Sequence, residues 1–305
     1  MRLRIPVLVT GAMLFTASCG DDPEGYPTWP DGASYWVGWS SSPDTATAWS
    51  PTGNVALFCT PNTGSPCIFS YDASGAAPHQ MTFSSLNEST GPTGCWDGDS
   101  GKIVYTAVRD DGTAEIRWIP GSSYSVHLVL YDSLPHMTPT WTPAGDTVLY
   151  CTLIDGRWGL WKTPAEPDSA SSPVQFFTPS YDCVRPSYSP DGSTLMFQAN
   201  ETGDWDVMIM PADGGGEPTP AAGSAAQEVH PSWGPGDGWF VFASDLTGDF
   251  EIYAGKVGSD TLVRLTEDSG ADLYPAWNPQ NGYVIFSSDR ASGAGGFDLF
   301  WTPEP

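Results

Sequence analysis

Six times along a chain of 305 residues, an aromatic side chain precedes a tight turn and then an apolar strand. The aromatics are Trp49, Trp96, Trp141, Tyr188, Trp233 and Trp277, spaced 47, 45, 47, 45 and 44 residues apart. A unit of this length, written only in strand and turn signals, cannot bury its apolar face alone and must pack against its neighbours in the chain. Six such units take up roughly 270 residues, enough for one closed domain. The expected class is therefore all-β: a six-bladed β-propeller over residues 34–305, with four antiparallel strands in each blade. Thirty-four Gly and 29 Pro fit the many turns and argue against long helices, while 14 Trp, 12 Tyr and 13 Phe supply a large core.

The fourth unit shows how a blade is written. Pro186-Ser187-Tyr188 reads as the innermost strand and Ser189-Pro190-Asp191-Gly192 as the hairpin turn. There Pro presets φ, Asp bonds nearby backbone and Gly accepts a positive φ. Thr194 to Phe197 is the second strand and Asp206 to Met210 the third. The fifth unit repeats this from Pro231-Ser232-Trp233, with Thr261 to Thr266 as its outer strand, and the sixth from Pro275-Ala276-Trp277. The first and third units are looser, and the second, Cys95-Trp96-Asp97-Gly98-Asp99, lacks the turn proline.

Pro-x-Trp-Ser-Pro-Asp-Gly, an apolar strand, Ser-Asp and then Asp/Glu-Ile-Tyr resembles the WD40-like (PD40) repeat of TolB-type propellers. The resemblance covers residues 34–305 and is plainest in the last three units. It implies a six-bladed ring without the N-terminal α/β domain of TolB itself, so a role in the Tol–Pal system does not follow from it. The chain runs only to the third strand of the sixth unit. Ser34 to Trp39 is strand-like and is expected to pair with Phe297 to Trp301, closing the ring and covering an edge.

Residues 1–18 read as an export signal: Arg2 and Arg4, an apolar run from Ile5 to Phe15, then small residues. Thr16-Ala17-Ser18-Cys19 resembles a bacterial lipobox, with Thr16 where Leu is usual, which implies lipidation of Cys19. Residues 19–33, rich in Asp, Pro and Gly, read as a tether. The expected location is the cell envelope, as an outer-membrane lipoprotein facing the periplasm or the surface, with the membrane met only through the anchor. A formal net charge of −25 argues against binding nucleic acid.

An oxidising compartment makes disulfides the expectation for the remaining cysteines. Cys59 and Cys67 bracket one turn, which points to a cross-hairpin bridge. Cys151 and Cys183 fall on neighbouring blades, which points to an inter-blade bridge. Cys59–Cys95 is the rival pairing; otherwise Cys95 remains free. No clustered Cys-x-x-Cys spacing points to zinc.

No catalytic residue is assigned. Gly98-Asp99-Ser100-Gly101 lies in register with a hairpin turn, and no Gly-x-Ser-x-Gly elbow occurs. His79 and His127 fall on outer strands, where exposure is expected. His136 and His230 lie where the chain enters innermost strands. Aligned on the repeat aromatic, Thr138, Arg185, His230 and Tyr274 share the position three before it. Two residues earlier stand Asp44, His136, Cys183, Glu228 and Asp272. His136, Thr138, Arg185, Glu228, His230, Asp272 and Tyr274 are the candidate binding residues around one mouth of the central channel. No cofactor is expected. Ca²⁺ at acidic turns such as Asp204/Asp206 and Asp249/Glu251 is the alternative. The expected function is a non-catalytic, monomeric binding module for an envelope protein or peptide; a carbohydrate-binding or carbohydrate-active propeller using the same mouth is the alternative.

Overall fold

The computed structural model describes residues 34–37, 45–61, 66–72, 78–83, 87–93, 101–109, 111–167, 171–236, 238–280, 282–290 and 296–305. The signal, Cys19, the tether, Asp44, Cys95 and the Gly98-Asp99-Ser100 turn lie outside these residues. The described strands form six four-stranded antiparallel sheets, one for each sequence unit. In blade four the strands are Cys183–Tyr188, Thr194–Ala199, Asp206–Pro211 and Thr219–Ala222, in that order from the channel outwards. No helix among the described residues is long and apolar enough to cross a membrane.

The sixth blade takes its outermost strand from the start of the chain. Ser34–Val37 pairs antiparallel with Asp298–Pro303, setting Ser34 opposite Trp301, Tyr35 opposite Phe300 and Val37 opposite Leu299. This is the expected closure, and it gives Asp298–Pro303 a hydrogen-bonded neighbour on both sides. A second tie runs between the sixth and first blades, where Asn278 Nδ2 donates to the Gly53 carbonyl at 3.0 Å. Gly53 has φ +70°, and a Cβ there would meet Asn278 Oδ1 at 2.6 Å, so this turn requires glycine.

The repeat aromatics act between blades. Trp49 Nε1 donates to the Ala276 carbonyl at 3.2 Å, Trp141 Nε1 to Lys102 at 3.2 Å and Trp233 Nε1 to Ser187 at 3.1 Å. Each acceptor belongs to the preceding blade of the ring. In these three blades the indole fills an inter-blade space and spends its one polar hydrogen there, whereas Trp277 Nε1 is buried without such an acceptor. The turns follow their sequence chemistry. In blade four the Gly192 N–H donates to the Ser189 carbonyl at 2.8 Å, and Asp191 Oδ1 accepts the Ser193 N–H at 3.0 Å.

Candidate functional site at the channel mouth

Each innermost strand of blades three to six is broken at one place. The register slips between Met137 and Thr140, Val184 and Ser187, Val229 and Ser232, and Leu273 and Ala276. Within each slip sits a non-glycine residue in the left-handed region: Thr138 at φ 45°, Arg185 at 55°, His230 at 55° and Tyr274 at 53°. A proline follows every one of them, and such a bulge tolerates proline because it removes the residue from the hydrogen-bonded ladder. Glycine would adopt this φ freely, whereas a side chain there costs roughly 1–2 kcal/mol. Four consecutive blades carry that strain at one end of the channel.

The four residues interlock. Thr138 Oγ1 accepts the Arg185 backbone N–H at 3.2 Å, and His230 Nδ1 accepts that of Tyr274 at 3.4 Å. Gln198, which the repeat alignment did not single out, accepts the His230 N–H at 2.9 Å from a buried position on the second strand of blade four. Its signal was a polar residue at an inward position of an otherwise apolar strand. The His230 and Tyr274 rings stack with centroids 3.9 Å apart and planes 13° apart. The Arg185 guanidinium carbon stands 5.2 Å from the Tyr274 centroid. Burial, with the Arg185 charge adding to it, pulls His230 well below the usual imidazole range, so His230 is neutral at pH 7. Thr138 is buried, while Arg185, His230 and Tyr274 are half-buried.

No family model matches the chain. Over 97 residues it is 33% identical to the Tol-Pal system protein TolB of Anaeromyxobacter dehalogenans strain 2CP-1, and equally to that of strain 2CP-C. Those residues make up 32% of this chain but only 21% of the relative. Among solved structures, a putative TolB from Agrobacterium tumefaciens superposes with a TM-score of 0.67 at 17% identity, covering 88% of this chain and 92% of that one. The chain is a TolB-type six-bladed β-propeller. TolB from Acinetobacter baumannii gives a TM-score of 0.62 at 14% identity, covering 86% of this chain and 64% of that one. An oligogalacturonate lyase in complex with manganese also gives 0.62, at 13% identity over 92% and 96% of the two chains.

In this TolB-type ring the residues two before the mouth positions are wall rather than lining. His136 is 4% exposed, Cys183 0%, Glu228 2% and Asp272 0%. His136 Nε2 lies 3.0 Å from Asp132 Oδ1, and its ring stands edge-on to Tyr150. Asp272 is ion-paired with Arg290, whose side chain is also fully buried. Glu228 Oε1 accepts the Ser224 hydroxyl at 2.6 Å, and Asp206 of the preceding blade lies beside it. The structure thus gathers Thr138, Arg185, His230 and Tyr274, and sets His136, Glu228 and Asp272 behind them. His127 is not simply exposed on its outer strand: it stacks on Trp118 at 3.8 Å.

Burial pushes Glu228 up to about 7; the Ser224 hydroxyl opposes this and Asp206 adds to it. A carboxyl raised from its ordinary 4.5 stabilises the fold while protonated. That contribution is full below pH 4.5 and is lost as pH rises to about 7. Stability should therefore fall by about 1–3 kcal/mol more between pH 4.5 and 7 in the wild type than in Glu228→Gln. Denaturant titrations of both proteins at several pH values check this, and parallel curves would refute it.

The acidic turns are occupied by protein partners. Asp204 Oδ1 accepts Gln227 Nε2 at 2.7 Å, and Glu251 takes Arg264 Nη2 at 2.7 Å and the Thr266 hydroxyl at 2.6 Å. Among the described residues, no three His, Cys, Asp or Glu side chains gather as a metal site would require. The recurring Asp after the second strand has a structural task as well: Asp245 and Asp289 accept the N–H groups of Gln227 and Ala271 at 2.8 Å.

The expected inter-blade bridge is not formed: Cys151 and Cys183 are free and buried. Cys59 stands opposite Ile68 in the ladder and Cys67 opposite Thr60. The two thiols therefore alternate to opposite faces of one sheet, which forbids a bridge without moving backbone. Cys151 and Cys183 do share one inter-blade cluster, but each thiol is turned to another group. Cys151 Sγ lies 3.1 Å from Thr138 Oγ1, and Cys183 Sγ faces the Trp158 carbonyl. Burial pushes Cys151 up to about 12, which keeps it protonated and unreactive.

A separate cleft of about 380 Å³ lies at the opposite end of the blades, against the turn from Ser189 to Thr194 and the Trp233 ring. None of the four strained residues lines it.

Proposed function

We propose that this chain is a non-catalytic binding module of the bacterial cell envelope that receives a protein or peptide partner at the Arg185–His230–Tyr274 mouth. One observation carries the reading: four blades hold side chains, where glycine would be unstrained, at the same end of one channel. Backbone strain repeated at one place and interlocked by stacking is what a pre-organised recognition surface requires. The curated relatives are named as proteins of the Tol-Pal system, which supports a protein partner. Cys19 would carry the lipid and residues 19–33 the reach from the membrane, with the propeller acting as a monomer.

The carbohydrate alternative draws on the likeness to the lyase fold. Against it, the two histidines nearest the channel are held apart in role, His136 by Asp132 within the wall and His230 by Tyr274 at the mouth. A pull-down from envelope extract compares wild type with Arg185→Ala/His230→Ala. A protein retained by the wild type and lost from the double variant is expected. An identical bound set would rule out the mouth as the binding site.

A further inference from the structure

The chain has 36 acidic and 11 basic residues, and four of its six described arginines are paired with carboxylates. Arg109 and Arg117 both pair with Glu115, Arg264 with Glu251 and Arg290 with Asp272. Arg157 sits exposed at a hairpin tip. Arg185 alone among the described arginines is half-buried with its guanidinium joined to no carboxylate. Its contacts are the Tyr274 ring and, through its backbone, Thr138. Burial pulls Arg185 below its ordinary value, although a guanidinium stays charged at neutral pH. An unpaired charge is costly to take out of water even in part, and among the described residues no acid is placed beside it.

We propose that Arg185 is the anchor for a carboxylate of the partner, gripped by the guanidinium fork beside the His230–Tyr274 stack. This rests on the mouth being the binding site. A carboxylate presents two coplanar oxygens that match two parallel N–H donors of arginine. His230 adds no second positive charge, but because Nδ1 accepts the Tyr274 N–H, its Nε2 carries the proton and is a donor. One guanidinium balances one negative charge. A phosphate dianion would bring a second into a chain of net charge −25, whose field opposes it. The same field favours a partner segment that is neutral or basic apart from this carboxylate. The source is either a free C-terminus or a Glu or Asp side chain.

The test uses the full propeller and the peptide acetyl-Gly-Gly-Glu-Gly-Gly-amide, its Gln counterpart, acetyl-pentaglycine with a free C-terminus, inorganic phosphate and galacturonate. Arginine Nε–H and ring resonances are followed by NMR, with the Arg185 signal assigned by its loss in Arg185→Gln. The Arg185 signal should shift saturably with the Glu peptide or with the free C-terminus, and not with the Gln peptide. Which of the two moves it identifies the source. Arg185→Gln, with an unchanged circular dichroism spectrum, should bind the responding peptide about 10- to 100-fold more weakly, read from the Tyr274 and His230 rings. Arg185→Lys, which keeps the charge but loses the fork, should fall between. Equal shifts with Glu and Gln peptides would overturn the carboxylate and leave the mouth standing. A response to phosphate or galacturonate but to no peptide would overturn the peptide carboxylate in favour of that anion. Silence of every mouth resonance with all probes would overturn both the anchor and the mouth.

Discussion

Arg290→Met should destabilise the propeller by about 3–5 kcal/mol, because it removes one half of a fully buried ion pair. The side chains of Arg290 and Asp272 are both 0% exposed. Arg290 also donates through Nε to Ser288 Oγ at 2.9 Å, and its guanidinium carbon lies 5.3 Å from the Phe286 and Phe300 centroids. With the cation gone, the Asp272 carboxylate is left buried between the fifth and sixth blades, with the Ser288 and Thr266 hydroxyls and the like-charged Glu251 for company. Burial already pushes Asp272 above the usual carboxylate range and Arg290 opposes that rise, so its loss raises the carboxyl further. The damage should accordingly be smaller at pH 5, where Asp272 is protonated and neutral, than at pH 8. Replacing both partners, as Asp272→Asn/Arg290→Met, should recover part of the stability, since no charge is then left buried. Denaturant unfolding of the wild type and both variants at the two pH values reads all of this. A single variant within 1 kcal/mol of wild type would show that the pair contributes nothing.

Deleting residues 20–40 should lower the melting temperature by about 5–15 °C. The segment removed contains Ser34–Val37, the strand that completes the sixth blade. Its backbone bonds contribute about 1 kcal/mol each, and for a domain of this size each kcal/mol shifts the midpoint by about 2–4 °C. The loss also bares the edge of Asp298–Pro303, which otherwise has strands on both sides. An open edge invites pairing with a second chain, so the truncated protein should associate as its concentration rises. Calorimetry and size-exclusion chromatography are the measurements. An unchanged melt and a strictly monomeric truncated chain would mean that the ring is held by the inter-blade tryptophans and the Asn278–Gly53 tie instead.

Much of the mouth was legible before any coordinates, because the repeat supplies a register. Counting three residues back from Tyr188, Trp233 and Trp277 reaches Arg185, His230 and Tyr274, and the structure finds these at one bulge in successive blades. The proline after each was the local mark of that bulge. Counting two further back was less informative. Across a bulge the alternation of side chains no longer tells which face a residue takes, and Glu228 and Asp272 turned out to be buried. Arg290 and Gln198 were missed for a related reason. Each acts on a residue of another strand or blade, and neither recurs in the repeat.

The cysteines show the same boundary. Spacing placed Cys59 and Cys67 on adjacent strands correctly, but a one-residue offset in the ladder decides whether two thiols share a face. Spacing around a turn does not reveal that offset. By itself, then, the amino-acid sequence determined the number of blades, the order of strands and the strand that closes the ring. These depend on periodicity and turn chemistry, which are local. Only the tertiary structure decided which polar groups meet: the Asp272–Arg290 pair in the wall, the stacked His230 and Tyr274, and an Arg185 guanidinium with no acid beside it. Those pairings are set by how one blade leans on the next, and in a chain with 36 acidic side chains composition alone does not say which arginine is left without one.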